Sequence, residues 1–214
     1  MPSLPKGCPV TLALIAINLA LFAGQFATQD LLTNLGLLYG PAVQGGQQWR
    51  IVTSGFLHGG LVHIGFNMYL LFMLGPQLER GFGSLRFSMM YFGSLFGGAL
   101  AVLAFDFAQP TLGASGAVLG LAGAMFVALW GRGVSPRQSP VFGLVVLNLA
   151  LPLLIPGISF WGHLGGVVAG AAMAFVLVWI PDRTRTQGSA NSLSQGAALT
   201  VILAAACFIV PFLR

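Results

Sequence analysis

Seven long apolar runs leave this 214-residue chain only one kind of solvent to fold in. They cover residues 9–26, 61–78, 87–105, 115–130, 141–155, 160–180 and 196–213. A hydrocarbon core about 30 Å thick asks for roughly 20 residues of helix at about 1.5 Å per residue, so each run is predicted to be a transmembrane helix. Charge is too scarce for any other reading. Nine Lys or Arg and four Asp or Glu make up 6% of the chain, against 57% hydrophobic residues, whereas soluble domains carry about a quarter charged residues. The mean hydropathy of +0.89 excludes a soluble globule, and the predicted fold class is an all-α polytopic membrane protein. The net charge of +5 comes from basic residues scattered singly or in loose pairs, which form no nucleic-acid-binding stripe. Cys8 and Cys207 stand near opposite ends without metal-ligand spacing. No metal, no organic cofactor and no nucleic-acid partner is therefore expected.

Loop charges orient the bundle. With the N-terminus inside, Lys6, Arg80, Arg86, Arg132, Arg137, Arg183 and Arg185 share one side, while Arg50 and Arg214 fall on the other. Cytoplasmic loops collect Lys and Arg, so the N-terminus is predicted to be cytoplasmic and the C-terminus, after seven spans, outside. The first run is too long for a signal-peptide core and lacks a small-x-small cleavage site, so it is expected to be retained. With Lys6 almost at the membrane no soluble N-terminal domain is expected, and a bacterial plasma membrane is the expected location. Polar residues 184–194 read as a linker that separates a six-helix domain, residues 1–183, from residues 184–214 with the seventh helix. The first outside loop, about residues 27–56, is long enough to be functional or partly structured. Its Trp49-Arg50 pair reads as an interfacial anchor with a snorkelling arginine at least as readily as a substrate-handling pair.

Polar side chains inside hydrocarbon need a partner, a cavity or a function. His58 and His63 open the second run, His163 opens the sixth, and Asn67 follows His63 by one helical turn. The fourth run begins Gly113-Ala114-Ser115-Gly116, and its sixteen residues span only about 24 Å, which recesses Ser115 below the outer surface. Gly116, Gly120 and Gly123 mark one small-residue face, and His163, Gly166 and Gly170 another, so the two helices can approach backbone to backbone. That packing would bring Ser115 and His163 to one depth, as a hydroxyl-to-imidazole hydrogen bond requires. Each element alone is an ordinary cap or packing group; their convergence on one leaflet points to a site.

The motif set resembles the rhomboid intramembrane serine proteases. The resemblance rests on Gly113-Ala114-Ser115-Gly116, His58-x4-His63-x3-Asn67, His163-x2-Gly166-x3-Gly170, Trp49-Arg50 and Glu79-x-Gly81-x-Gly83, in family order over residues 9–180. It implies a six-helix bundle plus one C-terminal transmembrane helix. Ser115 would be the nucleophile and His163 its base, with His63, Asn67 and the Ser115 backbone N–H stabilising the oxyanion. His58 would be structural at the site mouth, Gly113, Gly116, Gly166 and Gly170 would support the site, and Glu79-x-Gly81-x-Gly83 would form a structural turn. Transmembrane proteins would be the substrates, cleaved within membrane lipid near the outer face. Helices must unwind before attack, so Gly, Pro or small polar residues at the cleavage site would be favoured.

A triad needs a carboxylate behind His163, but only Asp30, Glu79, Asp106 and Asp182 exist. Glu79 and Asp182 fall on the wrong side and no spacing ties Asp30 or Asp106 to the imidazole, so a Ser-His dyad is predicted. The fifth run, between Pro140 and Pro156 with Asn148 as almost its only polar residue, reads as a substrate entrance or as plain lipid-facing packing. Asn18, Gln25, Met68, Met73, Met89 and Met90 are expected only to pack. A non-catalytic client-binding relative would ordinarily lack Ser115 or His163. A transporter would show an internal repeat or charged midplane residues, and neither is evident. No sequence feature assigns an oligomeric state.

Overall fold

The computed structural model describes residues 7–179 and 190–213. Among the described residues five helices are long and apolar enough to cross a membrane, α1 (Pro9–Ala27), α5 (Leu61–Phe82), α6 (Ser84–Phe105), α9 (Phe160–Ala174) with its continuation to Trp179, and α10 (Ala190–Ile209), whereas α7 (Ser115–Gly131) and α8 (Pro140–Ala150), both predicted as spans, are apolar but shorter. A π-helical turn, Phe175–Trp179, prolongs α9, and a 3-10 turn, Val210–Leu213, follows α10. The long first loop is partly structured, as α2 (Leu31–Gly36), α3 (Gly40–Gln44) and α4 (Arg50–Thr53). Among the described residues there is no strand beyond an isolated Leu38–Thr111 bridge, so the chain is an all-α polytopic membrane protein. Lys6, Ile180, Asp182, Arg183, Arg185, Arg214 and the proposed domain boundary at 183/184 lie outside the described residues.

One departure from the hydropathy reading is at a buried charge. Helix α5 continues past residue 78 to Phe82, and Gly83, at φ +85°, both ends it and opens α6 at Ser84. The carboxylate of Glu79, 2% exposed, accepts hydrogen bonds from the Val10 and Thr11 backbone N–H groups, from Thr11 Oγ1 and from Ser84 Oγ at 2.7–2.9 Å. It satisfies two of the orphan donors at the N-terminus of α1 and places negative charge at that positive helix end. The charge that should interrupt a span instead joins α1, α5 and α6.

Helix α7 is the central post, burying residues against α5, α6 and α9. Without a hydrophobic driving force between helices in lipid, close backbone contact supplies the attraction. A β-carbon at Gly166 would collide with the Gly116 carbonyl oxygen, one at Gly170 with the Gly120 carbonyl oxygen, and one at Gly123 with the Val167 carbonyl oxygen. Helix α10 packs on α6 and ends against the first loop. Gln44 Nε2 donates to the Pro211 carbonyl at 2.8 Å, and Cys207 joins Leu38, Val43, Ile51 and Leu103 in a second apolar cluster.

The first loop is held by its own side chains. Arg50 is 7% exposed, so it does not snorkel. It donates to the Leu37 carbonyl at 2.8 Å and to Gln47 Oε1 at 2.7 Å, while Trp49 Nε1 donates to the Leu35 carbonyl at 3.0 Å. Leu38 and Thr111 exchange backbone hydrogen bonds of 2.8 and 2.9 Å, and Gly113 N–H donates to the Ser54 carbonyl at 2.9 Å. These bonds fix the segment that leads into α7.

Candidate active site

Ser115 is the first residue of α7, and Gly113 reaches it with φ +130°, a conformation that favours glycine. No side chain caps this helix end, so the first-turn N–H groups, including that of Ser115, have no partner within the helix. Across from it, Ser159 caps α9 by accepting from Gly162 N–H at 3.0 Å, which sets His163 one turn into the helix. The contact of α7 and α9 through Gly116 and Gly166 then leaves His163 Nε2 3.0 Å from Ser115 Oγ.

The second imidazole nitrogen settles the proton arrangement. His163 Nδ1 lies 2.9 Å from the Asn148 backbone carbonyl. A carbonyl only accepts, so Nδ1 carries the hydrogen and the Nε2 lone pair faces the serine hydroxyl. That carbonyl is free for a local reason: its helical i+4 donor would be residue 152, which is Pro152 and has no N–H. The Asn148 side chain donates instead to the Leu144 carbonyl at 2.8 Å. Sequence reasoning missed this acceptor, although the spacing Asn148-x3-Pro152 marks an orphan carbonyl near the end of α8.

His63, Asn67, Ser115, Gly116, Asn148 and His163 line one cavity of about 950 Å³, with Gly113 beside them. His63 Nδ1 accepts from Gly59 N–H at 3.2 Å, which leaves the hydrogen of the neutral ring on Nε2. A β-carbon at Gly113 would lie 2.8 Å from His63 Nε2 and 3.5 Å from Ser115 Oγ, so the glycine keeps open the space between them. Asn67, 2% exposed, gives one amide hydrogen to the His63 carbonyl at 2.9 Å.

His58 does not stand at the mouth of the site. It is 2% exposed, outside the cavity lining, with its ring edge-on to His63 at 5.1 Å. Burial, then the neighbouring His63, pushes its pKa down to about 4, opposed by the Phe56 backbone. Gly166 and Gly170 act in the helix contact below the cavity, and Trp49 and Arg50 stay outside its lining. Gln25, expected only to pack, pairs with the backbone of His58.

The Rhomboid domain family matches residues 45–180. The chain is 35% identical over 158 residues to RHOMBOID-like protein 6, mitochondrial, of Arabidopsis thaliana, covering 71% of this chain and 51% of that protein. It is 30% identical over 175 residues to Rhomboid protease GluP of Bacillus subtilis (strain 168), covering 78% and 34% respectively. It is also 30% identical over 197 residues to Rhomboid-like protease 1 of Toxoplasma gondii, covering 84% and 64%. The chain spans about half the length of the plant relatives it matches. Relatives from a plant, a bacterium and a parasite do not single out the bacterial plasma membrane. With the family domain covering well over half of its residues, its cavity built on the matched helices and its relatives drawn from three kingdoms of life, the chain belongs to the rhomboid family.

Proposed function

We propose that this protein is an intramembrane serine endopeptidase that cleaves transmembrane segments near the outer face of the membrane through a Ser115–His163 dyad. The observation that carries this reading is the 3.0 Å contact between Ser115 Oγ and His163 Nε2, with Nδ1 already committed to the Asn148 carbonyl. As Oγ attacks the scissile carbonyl carbon, its proton passes to Nε2. Charge gathers on the carbonyl oxygen, where the Ser115 backbone N–H, His63 Nε2–H and the Asn67 amide are the available donors. Collapse breaks the C–N bond, and Nε2 returns the proton to the leaving amine. Water, deprotonated by the same nitrogen, then releases the acyl group.

Both ring nitrogens of His163 are occupied without a carboxylate, so the Asn148 carbonyl dipole takes over the orienting role that an aspartate has in a triad. The loop charges support an N-terminus in the cytoplasm, with Arg80, Arg86, Arg132 and Arg137 on one side and Arg50 on the other. The catalytic unit is then residues 1–183, and residues 184–214 add a helix that braces the first loop. The test is cleavage of a reporter transmembrane substrate by purified protein in detergent. Wild type should cleave in the presence of a chelator, and folded Ser115→Ala and His163→Ala should not. Cleavage retained by Ser115→Ala would refute the nucleophile, and no cleavage of several substrates by wild type would favour client binding.

A further inference from the structure

Gln25 is a buried amide near the end of α1, 3% exposed, with no direct contact to Ser115 or His163. Its Oε1 accepts the His58 backbone N–H at 2.9 Å, and its Nε2 donates to the His58 carbonyl at 3.1 Å. The second Nε2 hydrogen goes to Thr33 Oγ1 at 2.7 Å, and the Thr33 hydroxyl is itself directed to Asp30 Oδ1 at 3.2 Å. One N–H and one C=O of the same residue admit only this amide orientation.

The His58 carbonyl and the Gly59 N–H belong to one planar trans peptide unit, so they point in opposite directions. Gln25 holds the carbonyl edge of that plane; the N–H edge donates to His63 Nδ1 at 3.2 Å. Donation to Nδ1 forces the neutral ring to carry its hydrogen on Nε2, the nitrogen that borders Gly113 and faces the serine across it. Hydrogen bonds in series polarise one another, so the Gln25 donor also strengthens the Gly59 bond.

We infer that Gln25 is a positioning residue which, through the His58–Gly59 peptide plane, holds His63 in the Nε2–H tautomer aimed into the cavity. The inference rests on the serine protease reading for its catalytic consequence, but not for the tautomer itself. Gln25→Met keeps the length and apolar bulk and removes all three hydrogen bonds. Thr33→Val, a milder change, removes only the acceptor that orients the amide.

The 214-residue protein, carrying 15N-labelled histidine in detergent, is examined by NMR, with His58→Gln and His63→Gln spectra assigning the rings. Wild type should show His63 as the Nε2–H tautomer. Gln25→Met should mix in the Nδ1–H form, Thr33→Val should do so less, and the His163 signals should stay in place. In parallel, Gln25→Met should lower kcat roughly tenfold, a fraction of what loss of a whole oxyanion donor costs, with KM within about twofold. In a His63→Gln background the same change should matter less than about twofold.

An unchanged His63 spectrum in folded Gln25→Met overturns the inference, as does an equal kcat loss in both backgrounds, which would make Gln25 a brace between α1 and the loop. A tautomer shift on Gln25→Met, with a wild type that cleaves nothing, would support the positioning and sink the protease reading. The two failures are thereby separable.

Discussion

The 3.0 Å reach of His163 to Ser115 depends on how closely α7 and α9 approach, and one methyl group tests it. In Gly166→Ala the new β-carbon would stand 2.7 Å from the Gly116 carbonyl carbon and 2.9 Å from its Cα. Ordinary carbon–carbon contact is about 3.5 Å, so the backbones must part by at least about 0.8 Å, and by more to clear the Gly116 carbonyl oxygen, which stands closer still. Gly166 lies three residues from His163, and Gly116 follows Ser115 directly, so the displacement reaches the hydrogen-bonded pair almost undiminished. A contact of 3.0 Å opened by that amount passes beyond hydrogen-bond range. Overpacking of this kind costs about 1–3 kcal/mol in stability, and misplacement near 1 Å costs about a hundredfold in turnover. Gly143 on α8 is the control, because a β-carbon there meets nothing within 4 Å; Gly143→Ala should keep or raise the melting temperature. Thermal unfolding and reporter cleavage in one detergent read both effects. A Gly166→Ala protein that melts and cleaves like wild type would refute the backbone-contact argument.

Three further outcomes follow from the same contacts. Asp30→Asn and Asp106→Asn should each leave kcat within about twofold, because both His163 nitrogens already have other partners; a hundredfold loss in either would restore a triad. Glu79→Gln should lower stability by about 2–4 kcal/mol in thermal unfolding, since an amide presents a donor where four donors converge on the carboxylate; an unchanged melting temperature would remove Glu79 from its role at the α1 terminus. His58 has a folded pKa of about 4, below its ordinary value near 6.5, so the unfolded chain takes the proton first. Stability should fall by up to about 3 kcal/mol as pH drops from about 6.5 to 4, and His58→Gln should be flatter over that window; parallel curves would show that His58 titrates normally.

Spans were legible because a low-dielectric solvent enforces helix wherever apolar residues run on, and the small-residue faces announced the contact of α7 with α9. Helix ends were less legible for local reasons. Glu79 does not end α5 because its charge is hydrogen-bonded. Pro152 does end α8 early, leaving a 3-10 turn at Leu151–Leu153 where the hydropathy reading continued the span. Within the site, Ser115 and His163 stood out as hydroxyl and imidazole in hydrocarbon. The Asn148 carbonyl is marked only indirectly, by Pro152 four residues on, and the Gln25 amide not at all, since Gln25 meets His58 only through the packing of α1 on the loop before α5.

Covalent capture of the nucleophile tests the central claim most directly. The purified protein is treated with a fluorophosphonate, whose fluoride is displaced by an activated serine, and the adduct is located by peptide mass spectrometry. The label should sit on Ser115 alone and should be absent from folded His163→Ala as well as Ser115→Ala. Label on another residue, or on Ser115 at an undiminished rate without His163, would contradict a serine activated by this histidine.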